Sequence, residues 1–148
     1  MRYFDECNVG DEFRSLRPCR VDADEMNAFA RRWDPQPYHL DEAEAEKLVG
    51  RIFSSALLTL CISQKLTHEC GYFDIAMAAG LGLDEVRMLA PAFADDELSL
   101  VTTITEMRES SSRPNMGIMT NSTRLSNQHD ETVLTYRLTS LVHNRPAP

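Results

Sequence analysis

Hydrophobic positions follow two different rhythms along the chain. In the first half they recur at helical spacing: Met26, Phe29, Ala30 and Trp33 line one face behind Asp22, a natural N-cap with Glu25 three residues on. Asp41 to Leu48 reads as a short second helix with a solvated acidic face. Ser54 and Ser55 can cap a third, longer helix in which Ala56, Leu57, Leu58, Leu60, Cys61, Ile62 and Leu66 leave almost no polar side. Such a helix is expected to be wrapped by other structure, and the rest of the chain supplies it by alternating. Residues 80–89 carry apolar side chains at 81 and 83, then 86 and 88, a phase slip that predicts a bulge. Leu98, Leu100, Thr102 and Ile104 alternate with their neighbours, and residues 117–125 pair with 134–142 across Asn127-Gln128-His129-Asp130. Ahead of the helices, Glu12 to Val21 alternates imperfectly and is interrupted by Pro18, as an edge strand would be. One central apolar helix wrapped by an antiparallel sheet is an α+β class, expected as a single domain over residues 1–148 with a frayed tail from Arg145 to Pro148.

Composition narrows the possible partners. An apolar content of 43% in 148 residues is enough for a real core without metal or disulfide help. The formal charge of −8 argues against nucleic acid or an anionic membrane as a general partner. Cys7, Cys19, Cys61 and Cys70 are spaced too irregularly for a metal knuckle and are expected as reduced, buried thiols. The acidic N-terminus lacks a signal-peptide pattern and no segment approaches membrane-spanning length, so a cytoplasmic protein is expected.

Candidate chemistry concentrates in Trp33-Asp34-Pro35-Gln36-Pro37-Tyr38-His39-Leu40-Asp41. Each proline pushes the residue before it toward an extended conformation, so the stretch is expected as a stiff, non-helical loop displaying Asp34 and His39. A carboxylate and an imidazole together can move protons in both directions near neutral pH, as water addition or elimination requires. Trp33 and Tyr38 flank the pair closely enough to line a channel. Asp41 is better explained as a helix cap than as a metal ligand, and no metal is expected.

The run Asp34-Pro35-Gln36-Pro37-Tyr38-His39-Leu40-Asp41 resembles the hydratase signature of the MaoC-like, (R)-specific enoyl-CoA hydratase family, which reads Asp, any residue, Asn, Pro, any residue, His. Asp34, Pro37 and His39 match in register, while Gln36 replaces the usual Asn. The resemblance continues through Phe29-Ala30-Arg31-Arg32-Trp33, Leu81-Gly82-Leu83-Asp84-Glu85-Val86-Arg87 and Arg113-Pro114-Asn115-Met116-Gly117-Ile118. It implies a hotdog fold, a homodimer or higher homo-oligomer with sheets joined edge to edge, an acyl-CoA thioester substrate and no cofactor. The implied reaction is reversible hydration of a trans-2-enoyl thioester to the (R)-3-hydroxyacyl thioester, with Asp34 and His39 as catalytic residues.

Further expectations come from the same resemblance. Oxyanion stabilisation would come from the start of the apolar helix, where Ser55 can present its amide. Relatives usually carry His-Gly-Met where this chain has Ser54-Ser55-Ala56, and the Ser55 Cβ would narrow the approach. Ser63 matches a family position near the catalytic pair and could support it, although a helical Ser often bonds only to the preceding turn. Ala90 stands where relatives often have Arg, leaving Arg51, Lys65, Arg87, Arg108 and Arg113 as candidates for CoA phosphates. The alternatives are a non-catalytic hotdog subunit that binds acyl-CoA or a partner chain, suggested by these departures, and a hotdog thioesterase. The latter would want an acidic residue early in the apolar helix, which has none before Glu69.

Overall fold

The computed structural model describes residues 1–146. Four long strands form a continuous antiparallel path, β3 (Met77–Met88), β4 (Glu97–Glu109), β5 (Met116–Ser126) and β6 (Thr132–His143), joined by the short β1 (Glu12–Arg14) and β2 (Cys19–Arg20). The order is β1-β4-β5-β6-β3, with β2 pairing β4 beyond β1. The expected edge strand over residues 12–21 is thus two short pieces, both on β4, parted around Pro18, which cannot donate to a ladder.

Alternation in β4 does what the sequence predicts: Leu98, Leu100, Thr102 and Ile104 point into the core. The β5–β6 hairpin closes where Asn127 Oδ1 accepts the amides of His129 and Glu131, and Asp130 takes a left-handed φ of 58°. In β3 the register against β6 slips between Asp84 and Arg87, with Glu85 at φ 51°, so the phase slip is a bulge.

Between β2 and β3 run three helices, α1 (Ala23–Trp33), α2 (Pro37–Leu40) and α3 (Glu42–Val49), followed by the long α4 (Ala56–Glu69). Asp22 caps α1 by accepting the Glu25 amide at 2.8 Å, and Asp41 caps α3 through Glu44 at 3.1 Å. Helix α4 lies in the curve of the sheet, where Leu58, Ile62 and Leu66 meet Leu98, Leu100, Leu125, Leu134 and Tyr136. This is the hotdog fold. A second cluster closes the far end, where Phe4, Tyr72, Ile75, Ile104, Met119 and Val142 pack together. Phe4 lies against Gly117 of β5, whose missing side chain makes room for the ring. Tyr72 is fully buried, donates to Asn121 Oδ1 at 2.7 Å, and burial lifts its phenol well above the ordinary value.

Four expectations need correction. Pro35 and Pro37 do not exclude helix: Pro37 starts the single-turn α2, because a proline at the first helical position loses no intrahelical donor. Helix α4 is not wrapped all round, since Leu57, Cys61, Gln64, Lys65 and His68 form an exposed stripe. Cys61 is accordingly exposed and only Cys7 is fully buried, although all four thiols are free. The expected frayed tail is tied at Arg145, whose amide donates to Asp5 Oδ1 at 2.9 Å and whose side chain pairs with Glu6; Ala147 and Pro148 lie outside the described residues. Among the described residues, no helix is long and apolar enough to cross a membrane.

Candidate active site

Asp34 is the residue at which α1 stops. Its amide still bonds Ala30 O at 3.0 Å, but Pro35 disfavours helical backbone at Asp34, which turns to φ −149°, ψ 67°. Gln36 is extended for the same reason and serves as the N-cap position of α2. The one turn of α2 then carries His39 back toward α4, where the residue is only 5% exposed.

One backbone carbonyl and one carboxylate face the two imidazole nitrogens. His39 Nδ1 lies 2.9 Å from Phe53 O, and a carbonyl can only accept, so Nδ1 carries a proton. In the neutral ring Nε2 is therefore an acceptor, and it lies 3.4 Å from Asp34 Oδ2. Phe53 is itself held by an antiparallel bridge to Phe93, and the following Ser54 amide donates to Ala92 O at 2.8 Å. Tyr38 stacks on Phe53 with ring centroids 5.5 Å apart. Next to the pair, Ser55 Oγ donates to Asp34 Oδ2 at 2.6 Å and accepts the Leu57 amide at 3.3 Å.

Asp34, Tyr38, His39 and Ser54 open onto a cavity of about 420 Å³ whose other walls are largely apolar, including Phe53, Ala56, Met88, Leu89 and Val133. The start of α4 reaches this cavity through Ser54 and Ala56, so unpaired helix amides and the positive end of the helix dipole lie beside the two titratable groups. Two acceptors on one side and amide donors on the other can orient a water and a developing oxyanion, respectively.

The structure sorts the candidate residues. Asp34, His39, Tyr38 and Ser55 come together. Trp33 does not line the cavity: it is 61% exposed, and the Arg32 guanidinium covers its ring at 4.7 Å. Ser63 does not line the cavity either: the second turn of α4 carries it under the sheet, where Oγ meets Tyr136 OH at 2.9 Å. Arg51, Lys65, Arg87, Arg108 and Arg113 do not line the cavity; Arg51 instead stacks over Phe93 at 4.0 Å. Asp41 serves as a helix cap, and among the described residues no group of three or more His, Cys, Asp or Glu side chains is arranged to hold a metal. Sequence reasoning missed the Phe53 carbonyl and the Ser55 hydroxyl. The first has no side-chain signature, and the second reaches across 21 positions to Asp34.

Known proteins give this constellation a context. The chain is 31% identical to the uncharacterized protein YdeM of Bacillus subtilis, an alignment covering 93% of this chain and 96% of that one. It is 32% identical to the mesaconyl-CoA hydratase of Haloarcula hispanica over 97% of this chain, yet spans only 40% of that longer protein. The crystal structure of a MaoC-like dehydratase from Rhodospirillum rubrum superposes with a TM-score of 0.88 at 34% identity, covering 99% of this chain and 100% of the other. A family model described as the MaoC like domain matches residues 6–125, most of the sheet and every residue of the site on α1, α2 and α4. The chain belongs to the MaoC-like hydratase and dehydratase family.

Proposed function

We propose that this chain forms one MaoC-like hotdog domain that hydrates a trans-2-enoyl-CoA thioester reversibly to the (R)-3-hydroxyacyl thioester. The observation that carries this reading is the 3.4 Å approach of Asp34 Oδ2 to His39 Nε2 at the wall of an apolar cavity. With Nδ1–H committed to Phe53 O, both facing atoms are acceptors, and a single water donates one proton to each. As the water oxygen bonds to the β-carbon, one of its protons passes to the Asp34–His39 pair, and the pair delivers a proton to the α-carbon. Electron density moves onto the thioester oxygen during addition, where the amides at the start of α4 stabilise it. The reverse sequence eliminates water.

The cavity also bears on the acyl group. Among the described residues its walls contain no Lys or Arg, and Asp34 adds a negative charge. An uncharged acyl chain fits such walls better than the dicarboxylic acyl group of mesaconyl-CoA. The substrate therefore differs in class from that of the halophile relative.

A second copy completes the assembly in this reading. Among the described residues strand β3 pairs only with β6, and it carries Leu81 at 53% and Leu83 at 48% exposure. A long open edge of this kind is satisfied by antiparallel addition of another β3, giving a homodimer with one continuous sheet.

The test follows loss of the conjugated enoyl chromophore with crotonyl-, hexenoyl- and mesaconyl-CoA while free thiol is measured in parallel. Hydration of the uncharged esters, faster than of mesaconyl-CoA, is the expected result. Chromophore loss matched by release of free thiol assigns a thioesterase instead. An unchanged chromophore with thioester still bound assigns a non-catalytic binding subunit.

A further inference from the structure

We infer that Ser55 is a positioning residue: its side-chain hydroxyl holds the Asp34 carboxylate in register with the amides at the start of α4. The inference rests on the hydratase reading above but concerns a residue whose side chain that reading does not use. Ser55 is 1% exposed, and both of its hydrogen-bonding capacities are assigned. The Leu57 amide donates to Oγ at 3.3 Å, so the hydroxyl proton must point elsewhere, and Asp34 Oδ2 lies 2.6 Å away. One oxygen therefore caps the helix and grips the carboxylate at the same time.

The consequence is mechanical. Asp34 stands at the C-cap of α1, in a backbone conformation belonging to no regular element, and its side chain is 24% exposed. A carboxylate so placed can rotate about its χ angles, and rotation changes which oxygen faces His39. Ser55 fixes Oδ2 as the atom that faces both its own hydroxyl and His39 Nε2, so the oxygen proposed to accept from the water stays in place. The same Ser55 begins the turn whose first intrahelical bond runs from Thr59 N to Ser55 O at 3.1 Å. Proton acceptor and oxyanion donors are thus tied through one residue, so that a shift of one moves the other. Preorganisation of this kind acts on the chemical step rather than on thioester binding.

The experiment compares Ser55→Ala, Ser55→Thr and Asp34→Asn, with and without Ser55→Ala, by hydration kinetics and thermal melting. Ser55→Ala is expected to lower kcat about tenfold to a hundredfold, the span of a hydrogen bond to a charged group, with KM changed less than about threefold. Ser55→Thr, which keeps the hydroxyl, restores most of the rate. In the Asp34→Asn background Ser55→Ala has no further effect on the rate, since there is no longer a carboxylate to orient. A fall in melting temperature with kcat per folded molecule unchanged assigns Ser55 to helix capping alone and overturns the inference. If the wild-type protein hydrates no enoyl thioester, the hydratase reading fails, and a crystal structure of Ser55→Ala then decides on Ser55. A rotated Asp34 carboxylate supports positioning and an unmoved one refutes it.

Discussion

Ser63→Ala separates two roles for a residue that family resemblance and structure place differently. Its hydroxyl is fully buried and meets the Tyr136 hydroxyl at 2.9 Å, with Tyr136 itself only 3% exposed. Removing Oγ deletes one bond and strands the phenol in a region where water cannot replace the lost partner. Leaving a buried hydroxyl unsatisfied costs about 1–3 kcal/mol. For a chain of this size that corresponds to a fall in melting temperature of about 3–10 °C. In urea the midpoint should drop with the slope unchanged, because the exposed surface of the unfolded chain is the same. Tyr136→Phe should lose a similar amount, and the double variant should lose much less than the sum, since both single changes delete the same bond. Hydration by folded Ser63→Ala should match wild type, because Ser63 does not line the Asp34–His39 cavity. The reasoning is refuted if Ser63→Ala melts like wild type while kcat falls tenfold or more, which would place the hydroxyl at the reacting atoms.

Gly117→Ala should destabilise by about 1–3 kcal/mol, as overpacking does, because the new Cβ would land within the Phe4 ring; thermal melting checks it, and a melting temperature equal to wild type would contradict it. Leu83→Lys, on the open edge of β3, should shift the sedimentation profile from dimer toward monomer; an unchanged dimer would mean that the copies meet through another surface.

How much of the molecule was legible in the sequence depended on whether its signal was local. The strand in which Leu98, Leu100, Thr102 and Ile104 alternate could be read because each side chain reports its own face. The bulge of β3 was visible as a slip of phase, and the caps Asp22 and Asp41 as short acceptors ahead of helical periodicity. The prolines misled because their constraint falls on Asp34 and Gln36, whereas Pro37 itself suits the first position of a helix. Helix α4 looked wholly enclosed because Leu57 and Cys61 are apolar whether they face a core or an open surface. The positions of Trp33 and Ser63 depend on where neighbouring elements run, which spacing does not encode. At the site, Asp34 and His39 announce themselves through a short motif, but the contacts that aim them come from Phe53 O and Ser55 Oγ, distant in sequence and brought close by the fold.

Enoyl-chromophore loss by wild type, Asp34→Asn and His39→Ala, measured on protein shown to be folded, tests the proposed acid–base pair most directly. Removing either acceptor leaves the water without one of its two partners, so each variant should fall by at least about a hundredfold in kcat, the lower range for general acid–base catalysis. Wild-type hydration that survives within tenfold in Asp34→Asn or His39→Ala would show that the chemistry does not run through this pair.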